Sequence, residues 1–178
     1  MSVSAEPIIG IYTDELGTTC EINTTPYVQF NLYLVATWTG DEVFGGMTAT
    51  EFKLDNFPTN DGYPIGTVTV IANDTDLIIG DIWTDWSVAW SEPQGGTRSM
   101  FTMATIEILP FDAGWIGADQ VTVVAPGDDC SCLVIVDANF DIVDAVGYQF
   151  TFNCSTAPDC ACSVAVGPST WSSVKALF

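Results

Sequence analysis

Cysteines, paired carboxylates and tryptophans are the residues of this sequence with chemistry in them. Cys130-x-Cys132 and Cys160-x-Cys162 offer four thiolates, with Cys20 and Cys154 standing apart. Zinc sites space their cysteines two to four residues apart, not one, so a tetrathiolate zinc centre fits poorly. An even set of six, in a chain rich in Gly, Thr, Asn and Asp turns, reads instead as a disulfide framework in an oxidising space. Neither Cys-x-Cys is expected to close on itself, because so small a ring strains the disulfide dihedral.

The acids come in close pairs: Asp74 with Asp76, Asp81 with Asp85, and Asp128 with Asp129. Glycoside hydrolysis needs two carboxylates at a set separation, but among 23 acids some pairs meet that condition by chance. A solvated acidic surface accounts for them more simply. Asp137-x-Asn139-x-Asp141-x-x-Asp144 resembles the start of an oxygen-ligand calcium loop. Ile142 stands where the turn glycine of such a loop belongs. The competing reading is a hairpin connection in which Asp and Asn side chains make the turns. Calcium at Asp137, Asn139, Asp141 and Asp144 is therefore a minor expectation, and no other cofactor is expected.

Catalysis has little to work with. The chain has no histidine, the commonest general base and metal ligand. No imidazole can activate a serine or cysteine, and nothing around Lys53 or Lys175 supports a Ser-Lys pair. The sequence reads as non-enzymatic. Trp83, Trp86 and Trp90, with Trp38 and Trp115, suggest either a platform for stacking on sugar rings or filling for a core. In strand geometry Trp86 and Trp90 share one face and Trp83 takes the other. Core is the expectation; Trp86 and Trp90 are the platform candidates. Asn23, Asn73 and Asn153 begin Asn-x-Ser/Thr sequons, which matter only in a host that glycosylates asparagine.

These groups sit in 178 residues, enough for one domain with a sizeable core, and 48% of them are hydrophobic. That content excludes intrinsic disorder. Three cations, Lys53, Arg98 and Lys175, against 23 acids leave a net charge of -20. No basic patch can be built from them, which excludes a nucleic-acid backbone and an anionic membrane surface as partners. No apolar run reaches the roughly 20 residues of a membrane helix. Val3-Ser4-Ala5 before Glu6-Pro7 has the form of a signal-cleavage end, so residues 1–6 read as a tail left by a cleaved signal or an artificial start. The expected location is extracellular or at the cell surface.

Hydrophobicity repeats every two residues. Val28, Phe30, Leu32, Leu34 and Ala36 share one face between Tyr27 and Ala36. Alternation recurs over Thr48 to Leu54, Thr67 to Ile71, Arg98 to Leu109, Gln120 to Val124 and Tyr148 to Phe152. Shorter apolar runs at Ile8 to Tyr12, Leu77 to Ile82, Ser87 to Trp90 and Leu133 to Val136 read as further strands. Turn dipeptides such as Gly45-Gly46, Asp61-Gly62, Gly95-Gly96 and Pro126-Gly127 separate them. About nine strands with no amphipathic helix in the body predict an all-β, antiparallel, jelly-roll-like sandwich over residues 7–162. Leu133 to Val136 and Tyr148 to Phe152 are expected to pair as the final hairpin. Residues 163–178 form a tail whose end, TWSSVKALF, fits one or two helical turns too short to stand alone.

The order of features resembles the cohesin and cellulose-binding-module type of secreted sandwich. A long early strand, Tyr27 to Thr37, leads through Phe44-Gly45-Gly46 to a strand ending at Asp55, and Gly96 to Leu109 carries a Met-Ala-Thr-Ile-Glu-Ile strand ahead of the last hairpin. TWSSVKALF resembles short C-terminal tails of secreted bacterial proteins of unknown function. In a cohesin-type sandwich the first and last strands run parallel, which implies that Cys20 and Cys154 lie at one pole with the other four cysteines. The leading functional expectation is an extracellular structural subunit that self-associates into an oligomer or polymer, with Trp171, Val174, Leu177 and Phe178 as assembly residues. The alternatives are a polysaccharide-binding module on Trp86 and Trp90, and a cohesin-like adaptor that docks a partner protein.

Overall fold

Alternating apolar side chains put one face of each strand under cover, and the strands pair so that those faces meet. The computed structural model describes residues 6–39, 41–57, 66–111, 120–126 and 133–153. Its strands are β1 (Ile8–Tyr12), β2 (Glu21–Ile22), β3 (Phe30–Thr37), β4 (Met47–Asp55), β5 (Gly66–Ala72), β6 (Leu77–Asp81), β7 (Asp85–Gln94), β8 (Met100–Pro110), β9 (Gln120–Val124), β10 (Leu133–Asp137), β11 (Ile142–Gly147) and β12 (Gln149–Phe152). One 3-10 turn, Gly96–Arg98, precedes β8.

Two layers result. The first runs β5–β8–β3–β1, antiparallel throughout. The second runs β6–β7–β4–β10–β11, also antiparallel. β11 joins the layers: its start pairs with β10, while Val146 and Gly147 pair in parallel with Ile8 and Ile9 of β1. A Cβ at Gly147 would overlap the carbonyl oxygen of Val123, so only glycine lets β11 cross this closely over β9. β9 continues the ladder of β4 at Lys53, Leu54 and Asp55, and β12 and β2 add beyond it.

The core lies between the layers. Ile9, Ile11, Leu32, Leu34, Met103, Ile106 and Ile108 from the first meet Phe52, Trp86, Val88 and Ile135 from the second. Phe150 and Phe152 of β12 close one end, ring against ring at 5.0 Å. The run in β3 departs from strict alternation because the ladder to β8 shifts between Leu34 and Val35, so Leu34, Val35 and Ala36 are all buried.

The all-β sandwich is as expected, with more strands than expected. The final hairpin is not. β10 pairs with β11, a strand absent from the sequence reading, and β12 pairs with β9 and β2 instead. Asp144 interrupts the apolar run of β11 and hid it. The loop is also shorter than expected: Asp137 closes it over four residues, 138–141.

Candidate functional site

The exposed face of the second layer carries a shallow apolar trough of about 280 Å³. Strand register builds it. Leu77 of β6 lies beside Ala89 of β7, Ala89 beside Ala49 of β4, Ala49 beside Val136 of β10, and Val136 beside Ile142 of β11. Alanines form the floor; Leu77 and Ile142, 52 % and 73 % exposed, form the two walls. The neighbouring row reads Ile79, Ser87, Glu51, Val134 and Asp144. It sets two carboxylates on the flank of the trough. Phe44 and Phe140 extend the apolar surface near Ile142, and the Ala138 N–H donates to the Phe44 carbonyl at 3.0 Å to hold the loop and the hairpin together. Exposed apolar surface of this kind makes the trough the candidate interaction site of this layer.

Sequence reasoning missed this trough. Ala49, Ala89 and Val136 have no distinctive side chain, and only the register across five strands brings them into one row. Ile142, on an unrecognised strand, gave no signal at all.

Trp86 and Trp90 are core residues, not a platform. They are 3 % and 4 % exposed. Trp86 packs edge-on against Phe52 with ring centroids 5.2 Å apart, and Trp90 packs against Phe101 at 5.1 Å. The Trp90 Nε1–H donates to the Asn73 carbonyl at 3.0 Å, satisfying its one polar group. Trp83, on the opposite register, tilts over Phe57 at 4.5 Å. Trp38 is buried and Trp115 lies outside the described residues.

The acidic loop is a turn. Asp137 is buried, and its Oδ1 accepts from the Asn139 N–H at 2.8 Å and the Asp141 N–H at 2.9 Å. Asp144 lies on β11 beside Val134, along the strand from that turn. Among the described residues no group of three or more His, Cys, Asp or Glu is placed to hold a metal ion. The Asp137 Oδ1 thus serves an Asx turn at the start of this loop.

The carboxylate pairs are also engaged locally. The Asp81 Oδ1 accepts from the N–H groups of Trp83 and Thr84 in the β6–β7 turn. The Asp76 Oδ2 accepts from the Ser91 N–H at 2.6 Å, and bonds from the Ser91 amide and hydroxyl hold its carboxyl below the usual range. Asp14 is also held low: its burial works against this, but bonds from the Thr18 hydroxyl and the Thr18, Thr19 and Leu16 amides outweigh it. A general acid needs a raised carboxyl, and these two move the other way. Asp128 and Asp129 lie outside the described residues.

Cys20 is buried and disulfide-bonded. Its carbonyl accepts from the Thr151 N–H at 3.0 Å, three residues before Cys154, and β2 just after it runs parallel to β12. Cys130, Cys132, Cys154, Cys160 and Cys162 lie outside the described residues, as do the assembly candidates Trp171, Val174, Leu177 and Phe178. Two of the three sequons are spoken for: Asn73 Nδ2 donates to the Thr102 carbonyl, and Asn153 Nδ2 to the Thr24 hydroxyl.

No protein-family model and no curated protein matches the chain. Solved structures do, and they are cohesin modules. The sixth cohesin of scaffoldin B from Acetivibrio cellulolyticus, solved in complex with a dockerin, is 12 % identical with a TM-score of 0.49, covering 85 % of this chain and all of that one. The cohesin of OlpA from Clostridium thermocellum, also in a dockerin complex, is 11 % identical with a TM-score of 0.47 over 83 % of this chain and 99 % of its own. A cohesin module of a family 33 glycoside hydrolase from Clostridium perfringens is 8 % identical with a TM-score of 0.46, over 85 % and 98 %. The chain is similar to these in fold. No helix among the described residues is long and apolar enough to cross a membrane.

Proposed function

We propose that this protein is a non-catalytic docking module that binds a partner protein on the exposed face of β6–β7–β4–β10–β11. The observation that carries this reading is the row Leu77–Ala89–Ala49–Val136–Ile142, a trough with apolar walls and an alanine floor. Small floor residues admit a ridge of apolar side chains, and Glu51 and Asp144 beside it favour a partner with a basic rim. A second copy fits this face badly, because it would set the same carboxylates against each other in a chain of net charge -20. Self-association through the trough would therefore need high salt or bridging cations. The tryptophan pair that would serve a polysaccharide, Trp86 and Trp90, is buried in the core.

Location and crosslinking complete the proposal. Six cysteines, one of them buried and bonded, support an extracellular module with its remaining cysteines paired at the pole where Cys20 meets β12. The deciding experiment captures partners from the native extracellular milieu on wild-type protein and on the Ala89→Arg variant in parallel. The expected result is a protein retained by the wild type and lost by the variant. A partner retained equally by both, or retention of polysaccharide alone, overturns the reading.

A further inference from the structure

The first layer has a recess of its own, built from residues the trough does not use. A cleft of about 640 Å³ opens where the loop after β1, the turn after β5 and the 3-10 turn before β8 come together. Its volume falls within the roughly 300–1,000 Å³ of small-ligand sites. Leu16, Ala72, Met100 and Phe101 give it an apolar lining, and Glu15, Asp74 and Arg98 set charges of both signs around them.

Each charged wall is fixed by local bonds. The Asp14 carboxylate accepts from the Leu16 N–H at 3.0 Å, the Thr19 N–H at 2.9 Å and the Thr18 hydroxyl at 2.9 Å, which locks the loop carrying Glu15. Asn73 is held three ways. Its N–H donates to the Met103 carbonyl, its Nδ2 to the Thr102 carbonyl, and its own carbonyl accepts from Trp90 Nε1. Asp74 follows directly, at a φ of 44°. The Arg98 N–H donates to the Gly95 carbonyl at 2.8 Å, and Gly95 lies so close to the Trp38 ring that a Cβ would overlap it. Among the described residues, neither Glu15 nor Asp74 bonds to the Arg98 guanidinium. Fixed walls with unspent charges cost little to order when a ligand arrives.

We propose that this cleft binds a short apolar peptide as a zwitterion, its carboxylate on Arg98 and its ammonium on Glu15 and Asp74. Charge selects that class. An anion alone would face two carboxylates in a chain of net charge -20, and a cation alone would face the guanidinium. A ligand with both ends satisfies both, and a planar guanidinium bonds a carboxylate through two parallel N–H groups. Leu16, 71 % exposed, and Met100 then cover its apolar side chains. The site is separate from the docking face, since none of its lining residues belongs to the trough.

Titration calorimetry on the full chain tests this with the dipeptide leucyl-leucine, its N-acetyl form and its C-terminal amide. The free dipeptide should bind with a millimolar or tighter dissociation constant, and each blocked form about tenfold more weakly. Arg98→Gln should bring the free dipeptide down to the affinity of the amide. Glu15→Gln with Asp74→Asn should bring it down to that of the N-acetyl form, and asparagine tolerates the φ of residue 74. No binding of the free dipeptide at millimolar concentration, or equal affinity for the three forms, overturns the proposal. So does discrimination against the amide that survives Arg98→Gln. Ala89→Arg, on the trough floor, should leave dipeptide binding unchanged; loss of binding there would move the site to the docking face and overturn this assignment.

Discussion

Ala49 and Ala89 face each other across β4 and β7, and their methyl groups make the floor of the trough. Both lie on the face turned away from the core, so a larger side chain there changes the surface without disturbing packing. Ala89→Arg should shift stability by no more than about 0.5 kcal/mol, as surface substitutions do. It should also remove partner binding. A melting temperature lowered by many degrees would show instead that the position belongs to the core.

Trp86→Ala and Trp90→Ala should each destabilise the fold by about 3–5 kcal/mol, since each empties a buried site. Trp90→Ala also leaves the Asn73 carbonyl without its 3.0 Å donor. Urea unfolding measures both. A variant that keeps its midpoint while losing sugar binding would restore the platform.

Asp137→Ala removes an acceptor for two amides at the tip of the β10–β11 hairpin. Bonds to a charged group contribute more than neutral ones, and the expected loss is about 2 kcal/mol. Asp137→Asn keeps an oxygen in place and should recover much of it. Millimolar calcium should leave the melting temperature of the wild type unchanged; a rise of several degrees that Asp137→Ala abolishes would establish the ligand role.

Stability should fall at both extremes of pH. Burial, with Tyr148 and Asp14 nearby, pushes the Tyr12 hydroxyl up from 10.0 to about 12. A raised acid favours the protonated folded state, so its contribution is complete below about pH 10 and is lost as pH climbs towards about 12. Asp14 is lowered, so its contribution is present above the model-compound value of 3.8 and is lost as pH falls through the folded value. Tyr12→Phe should flatten the alkaline limb of the stability profile and leave the acid limb alone.

Gly147→Ala should destabilise strongly, because the added carbon meets a backbone oxygen, Val123 O, that cannot rotate aside. Thermal unfolding of this variant against the wild type provides the comparison. Equal melting temperatures would show that β11 and β9 can part without cost.

The sequence by itself determined what repeats locally. A period of two over Thr48 to Leu54 or Arg98 to Leu109 leaves one face apolar, and a face that must be buried is a strand. It determined the charge of -20, and with it the expectation that a nucleic-acid backbone is not a partner. It favoured the core for Trp86 and Trp90, since large aromatics bury well, and burial is what the structure shows. Only the tertiary structure decided what depends on register between distant strands. Asp144 broke the pattern of β11, and so the partner of β10 was misread; pairing free energy comes from the whole sheet, not from the run of one segment. The trough is the clearest instance. Leu77, Ala89, Ala49, Val136 and Ile142 are unremarkable one at a time and up to 93 positions apart, and they become a surface because four ladders between five strands set them side by side.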